Sequence, residues 1–234
     1  MSSSSNRLRF LYQGSLASRS GTSSERVRLA RRELDTITTL MELIEAPFLR
    51  SSLFLDLGCG DRYLESAVLE RGMRYVGLDV NTCDFSRDHF PLATGSVDLV
   101  VSLAVIEHLR DPSIFISEIF RCLKPGGVVY LSTPNFQYDS RNFYNDPTHV
   151  MPYTPVSLEI LLTLYNFERI HTFPGLRCKS KWWYLGPWRF FRSFFLLPFG
   201  GNVKWAPAFL KGHARSVFAL GVKPETCDAH NSFL

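Results

Sequence analysis

The sequence predicts an α/β protein built on a doubly wound, Rossmann-like, mostly parallel sheet, and three stretches carry that prediction. Leu53-Phe54-Leu55 is too short for a helix and reads as a buried strand with Asp56 near its carboxyl end. It runs through Gly58-Cys59-Gly60 into a helical segment, Tyr63 to Arg71. A second strand, Arg74 to Asp79, follows at once, and a third apolar run, Val97 to Leu103, is interrupted only by Asp98, as suits a central parallel strand.

In chain order, residues 1–24 are rich in Ser and Arg, contain no acid, and are expected to form a disordered basic tail. A transit peptide has similar composition and is the minor alternative. From Glu25, apolar residues recur every three or four positions (Val27, Ala30, Leu34, Ile37, Met41, Ile44), which predicts an amphipathic helix ending near Pro47. Gly58 and Gly60 let the backbone turn and approach a ligand, and the first N–H groups of the next helix favour a carboxylate or phosphate. A glycine pair alone is a weak signal, because many buried turns use glycine for geometry only. Asp79 strengthens it, standing about 20 residues on, where a doubly wound fold places the acid that accepts both ribose hydroxyls. No GxGxxG is present, so a dinucleotide is disfavoured.

These pieces, in order, resemble the class I S-adenosylmethionine-dependent methyltransferases over roughly Leu53 to Phe173. The matching segments are Asp56-Leu-Gly-Cys-Gly60, Asp79, Gly95-Ser-Val-Asp-Leu-Val-Val101, Ile106-Glu-His-Leu109 and Leu123-Lys-Pro-Gly-Gly127, the last turning into a strand at Val128 to Ser132. The resemblance implies S-adenosylmethionine as cofactor, held by Asp56, Gly58, Cys59, Gly60, Asp79 and Val80, with Leu103 on the sulfonium side. It also implies an acid near the adenine amino group: Asp84, beside Phe85, is the candidate, Asp88 competes, and an exposed loop acid is the alternative reading. Glu107 and His108 fall near the cofactor in the same comparison, in a structural or a chemical role. Arg62 stands where the family usually has a third glycine, so its side chain must leave the crevice or cap it.

At 234 residues, with 45% hydrophobic and 21% charged residues, the chain has the composition of one soluble globular domain. Residues 25–234 are read as that domain, with an insert at 176–214 before the last strand. The five cysteines are scattered without a CxxC pair, which points to a reducing, cytoplasmic setting and gives no zinc ligand set. No apolar run reaches the roughly 20 residues of a membrane span. The chain between Asp79 and Val97 is too short for a full helix and a long strand, so the third-strand region is expected to be abbreviated. Ser113 to Leu123 reads as a helix with Ile114, Phe115, Ile119 and Leu123 inward, stopped by Lys124-Pro-Gly-Gly127. Pro155 to Tyr165 is the next helix, Glu168 to Phe173 a strand, and Ser216 to Val222 the last strand, antiparallel by the resemblance.

Between Asn142 and His149 an acid, an imidazole, amides and aromatics collect in one loop. His149 is the candidate general base, with Asp146 to orient it, against the alternative of a turn histidine satisfied by local backbone. The Asp146-Pro-Thr-His149 segment and the following Pro152-Tyr-Thr-Pro155 resemble the methyltransferases of sugar and cell-envelope glycan biosynthesis. The expected reaction is therefore O-methylation of a sugar or lipid-linked glycan. A small aromatic or quinone-like acceptor and a catalytically silent cofactor-binding subunit are the alternatives. Neither an Asn/Asp-Pro-Pro-Tyr nor a Pro-Cys motif is present, which argues against a nucleic-acid substrate. The insert, with Trp182, Trp183, Trp188, Phe194 and several basic residues but no acid, suits either peripheral contact with an anionic membrane or core packing.

Overall fold

The computed structural model describes residues 23–46, 51–175, 182–185, 199–200, 205, 211–213 and 215–225. Its strands are β1 (Leu53–Leu57), β2 (Arg74–Leu78), β3 (Val97–Leu103), β4 (Leu123–Pro134), β5 (Glu168–Gly175), β6 (Phe199–Gly200), β7 (Lys211–His213) and β8 (Ser216–Val222). Six of them form one sheet in the order β2-β1-β3-β4-β8-β5, and β6 and β7 make a separate parallel pair. β1, β2, β3 and β4 pair in parallel, whereas β8 runs antiparallel between β4 and β5. The expected sheet, with its antiparallel last strand, is thus the observed one. No strand or helix lies between Asp79 and Ser96, in keeping with an abbreviated third-strand region.

The two faces of the sheet follow from the period-two alternation of its strands. Leu55, Leu57, Val100, Val129 and Leu131 face one side, against α3 (Ser113–Cys122) and α5 (Pro155–Leu164). Phe54, Leu99, Val101, Val128 and Tyr130 face the other, against α1 (Ser23–Leu43) and α2 (Glu65–Glu70). α1 buries the stripe Ala30, Leu34, Ile37, Leu40 and Met41, and Ile44 just beyond it is buried too. Ion pairs Arg31–Glu70 and Arg71–Asp35 fasten α1 to the α2 region. Asp98, the one charge in β3, has both oxygens occupied: the Leu53 N–H donates to it at 2.7 Å and Lys124 Nζ lies at 2.7 Å.

Three elements differ from expectation. On α3 the inward residues are Phe115, Ile116, Ile119 and Cys122, while Ile114 is 37% exposed. The helix stops at Cys122 ahead of Lys124-Pro-Gly-Gly127 as expected, but β4 begins at Leu123 and not at Val128, so these four residues belong to it, with Gly126 at φ +74°. A helix, α4 (Phe136–Phe143), occupies what reads as loop, started by Asn135, whose side-chain oxygen accepts the Gln137 N–H. A further short helix, α6 (Trp182–Leu185), lies in the insert. There Tyr184 is buried, and its hydroxyl donates to Pro174 O at 2.7 Å, so this turn of the insert packs on the domain. Most of the insert, including Trp188 and Phe194, and the basic tail lie outside the described residues. No helix among the described residues is long and apolar enough to cross a membrane.

Candidate cofactor and acceptor site

The loop after β1 folds back over the end of β2, with the Gly58 and Cys59 N–H groups donating to Leu78 O at 2.8 and 3.1 Å. At Gly58 φ is +78°, and an added Cβ would lie 2.3 Å from Val105 Cγ2, so only glycine fits there. The Gly60 N–H donates to Asp79 Oδ2 at 2.8 Å, which brings the half-buried Asp79 carboxylate to the glycine turn at the carboxyl edge of the sheet. Val80 beside it is 47% exposed. Asp56 lies beneath the loop, buried, with the Tyr75 hydroxyl donating to its Oδ2 at 2.7 Å. Burial raises its pKa to about 6, with the Tyr75 hydrogen bond acting against the shift. Burial likewise pushes the Cys59 thiol up to about 11, so Cys59 shapes the loop as a neutral thiol at physiological pH.

Arg62 adopts φ +57°, a left-handed conformation that suits the glycine it replaces. Its guanidinium makes two hydrogen bonds to Glu65, at 2.9 and 2.8 Å, and lies 4.9 Å from the centroid of the Tyr75 ring. α2 begins only at Glu65 and is six residues long, with that carboxylate in its first turn, so it does not offer the anion-binding start expected of it.

The residues expected near adenine take other parts. Asp84 caps its own turn: Ser86 N–H and Oγ donate to Oδ1 at 3.1 and 2.6 Å, and Arg87 Nε is 3.1 Å from Oδ2. Asp88 accepts the Asp84 N–H at 2.8 Å. Phe85 is 5% exposed and packs against Phe90 and Phe115 in the core. Leu103, half-buried, ends β3 beside the crevice.

On the other side of the crevice, Ala104 turns the chain at φ +57°, its N–H donating to Ser132 O at 2.7 Å, and a 3-10 turn at Ile106–His108 follows. Glu107 is fully buried: Oε2 accepts the Thr133 hydroxyl at 2.9 Å, and Oε1 has no hydrogen-bond partner among the described residues. Burial lifts its carboxyl pKa to about 7, with hydrogen bonding acting against the shift. The Val150 and Met151 N–H groups donate to Glu107 O, which stitches the His149 segment onto this turn. The His108 and His149 rings therefore face one another, 5.0 Å between centroids. His149 Nδ1 lies 2.7 Å from Phe143 O, and Asp146 Oδ2 is 3.9 Å from Nε2, an ion-pair separation and not a hydrogen bond. Asp146 Oδ1 is engaged by the Thr148 N–H and hydroxyl. Phe143 stacks at 4.7 Å on His149 and meets Phe136 and Tyr144 edge to face.

The sequence reading left Glu107 and His108 without a settled role and did not join them to His149, although adjacent Glu and His on one turn are a ligand-type signal. The missing information was the stitching of residue 150 onto residue 107, a contact across more than forty residues of chain.

A glycine-cornered loop and a carboxylate at the next strand end, at the carboxyl edge of a doubly wound sheet, define a nucleotide-cofactor fold. Residues 28–172, well over half of the chain, match the family described as "Methyltransferase domain", and the chain belongs to that family. It is 34% identical over 131 residues to a probable S-adenosylmethionine-dependent methyltransferase of Mycolicibacterium smegmatis, covering 49% of this chain and 51% of that one. It is 30% identical over 103 residues to a ubiquinone biosynthesis O-methyltransferase of Psychrobacter arcticus, covering 35% of this chain and 40% of that one. The chain thus spans about half or less of the curated relatives it matches. The same fold recurs in a methyltransferase of Archaeoglobus fulgidus, with TM-score 0.54 and 19% identity over 82% of this chain and 94% of that one. By family the chain carries a methyltransferase domain, and its fold is that of an S-adenosylmethionine-dependent methyltransferase.

Proposed function

We propose that the protein methylates a hydroxyl oxygen and that the acceptor is a small aromatic or quinol-like molecule. The observation that carries this reading is the cluster at His149: an imidazole beside the buried Phe143, with Phe136 and Tyr144 around it, next to Thr133 and the buried Glu107. The exposed Tyr144 and half-buried Phe136 offer faces and edges to an aromatic acceptor. The similarity to relatives named as ubiquinone biosynthesis O-methyltransferases supports the same acceptor class.

S-adenosylmethionine supplies an electrophilic methyl on sulfonium, already activated for displacement. The task left to the chain is alignment and proton removal. Asp79, held by the Gly60 N–H, accepts the ribose hydroxyls; Asp56, Gly58, Cys59 and Gly60 shape the floor; Val80, Leu103 and the turn at Asp84-Phe85 flank it. Phe143 O can only accept, so His149 Nδ1 carries the ring proton and Nε2 the lone pair. That lone pair receives the acceptor proton as the O–CH3 bond forms and the S–CH3 bond breaks, with S-adenosylhomocysteine as leaving group. Asp146 Oδ2 stands 3.9 Å from His149 Nε2.

The test is mass spectrometry of products from the purified chain, S-adenosylmethionine and a panel of aryl hydroxyls, quinols and sugars. Methylated aryl or quinol product is expected. Methylation of sugars alone would return the acceptor to a glycan, and calorimetric cofactor binding without turnover on any acceptor would make the chain a silent partner. Asp79→Ala should weaken cofactor binding by about tenfold to a few hundredfold, since charge-assisted hydrogen bonds contribute roughly 1.5–3 kcal/mol each. His149→Ala should lower turnover by about 10²–10⁴ while leaving cofactor affinity near wild type.

A further inference from the structure

Glu107, His108 and His149 each present a metal-ligand atom, and the three atoms lie within 4.8 Å of one another. Two features set this cluster apart from a chance meeting of polar side chains. The first is Glu107: it is fully buried, and its Oε1 has no hydrogen-bond partner among the described residues, an arrangement that is costly unless something electropositive meets that oxygen. The second is the tautomer of both rings. His108 Nδ1 lies 3.1 Å from Thr148 O, and His149 Nδ1 lies 2.7 Å from Phe143 O. A carbonyl only accepts, so each Nδ1 carries the proton and each Nε2 the lone pair. Backbone carbonyls that fix ligating histidines through the other ring nitrogen are the usual second shell of a metal site.

We propose that Glu107, His108 and His149 bind a divalent transition-metal cation, which receives the acceptor hydroxyl. Two imidazoles and one carboxylate suit Zn²⁺, Mn²⁺, Fe²⁺ or Co²⁺ and leave coordination positions open for a substrate oxygen. Bonds of about 2.0–2.2 Å bring donors to roughly 3.3 Å from one another, so the side chains close by about an ångström on loading. The proposal deepens the methyl-transfer reading and rests on it for the acceptor. An oxygen bound to a cation loses its proton more readily, and that proton leaves to solvent or Asp146. The oxygen then takes the methyl as the S–CH3 bond breaks. His149 is then a ligand and the cation replaces its action as base.

The experiment uses the full chain, stripped with a chelator and dialysed. Co²⁺ titration followed by visible absorption should give ligand-field bands that saturate at one cation per chain, and calorimetry with Zn²⁺ and Mn²⁺ should give the same stoichiometry. Glu107→Gln keeps the shape and the oxygen that faces Thr133. It and His149→Asn should each weaken binding by about tenfold or more, while Asp79→Ala should leave the Co²⁺ spectrum unchanged. Circular dichroism establishes that each variant is folded. Turnover should be lost in chelator and return with added cation. Absence of saturable Co²⁺ bands, or bands identical in wild type and both ligand variants, would overturn the proposal. Undiminished turnover in chelator would do so too, while leaving methyl transfer with His149 as base intact. Saturable cation binding in a chain with no S-adenosylmethionine affinity would instead uphold the metal site and sink the methyl-transfer reading.

Discussion

A carboxylate buried under a glycine loop carries a cost that depends on pH, and Asp56 is such a group. Its folded pKa, about 6, lies above the ordinary 3.8 because burial disfavours the charged form. At this carboxyl the folded protein therefore binds the proton more readily than the unfolded chain, so the contribution of Asp56 to stability is greatest below about pH 4 and falls as pH rises through 6. Asp56→Asn keeps an oxygen for the Tyr75 hydroxyl and removes the charge. It should be more stable than wild type at pH 7.5 by about 1–3 kcal/mol, and the difference should vanish toward pH 4. Thermal denaturation across that range checks it; a pH-independent difference would mean that the Asn effect is packing and not charge. At this scale the sequence was unevenly legible. The position of Asp79 at a strand end follows from strand and turn spacing. The surroundings of Phe85 were not legible, because whether an aromatic beside an acid packs in the core depends on partners far along the chain, here Phe90 and Phe115.

The segment from Asp79 to Ser96 has neither strand nor helix, yet Cys83, Phe85 and Phe90 in it are buried in the core. A side chain on α3 supplies the order that a strand ladder would otherwise give. Glu118 accepts the Phe90 N–H at 2.8 Å and meets His89 Nδ1 at 2.9 Å, while two guanidinium nitrogens of Arg121 donate to it. Arg121 in turn donates to Leu92 O and Phe90 O. The Arg121 hydrogen bonds hold the Glu118 carboxyl down at about 2, against the opposing effect of burial. A depressed carboxylate contributes stability that is fully present above about pH 4.5 and is lost as pH falls through 2. Glu118→Gln should thus cost about 2–3 kcal/mol at pH 7, and its deficit should shrink between pH 4.5 and 2. Equal slopes of Tm against pH for the two proteins would remove Glu118 from acid stability. Sequence periodicity found α1 and α3 because each carries an apolar stripe. It missed α4, whose Phe136-Gln-Tyr-Asp-Ser-Arg-Asn-Phe143 is mostly polar and contains a non-helical residue, Asp139, at φ −123°.

For the molecule as a whole, strand order matters more than any single contact. The parallel half, β2-β1-β3-β4, was legible from short apolar runs, the first of them followed by a glycine turn and a helix. Only the antiparallel direction of β8 came from family resemblance; its place between β4 and β5 was not legible, since nothing local in Ser216 to Val222 says which strands it separates. That placing has a mechanical consequence. Among the described residues β5 pairs with no strand but β8, and β8 also covers the outer edge of β4 along seven residue pairs, Val128↔Val222 to Pro134↔Ser216. Lys223, just past β8, donates to Phe120 O and Leu123 O at 2.7 and 2.8 Å and so fastens the end of α3 to the sheet. Asn135, which starts the acceptor-side helix, is itself held by its N–H to Arg215 O at 2.9 Å, and Arg215 pairs with Asp139 at 2.8 Å. Ending the chain before Arg215 would therefore strip β5 of its partner, open the β4 edge and release α4 at once. The expected result is a chain without a cooperative thermal transition, with collapsed amide dispersion in its ¹H–¹⁵N spectrum, even though every residue of the cofactor loop and of the Glu107-His108-His149 cluster is still present. If that shortened chain melts cooperatively and still binds S-adenosylmethionine, the parallel half is an independent folding unit and β8 serves only the acceptor side.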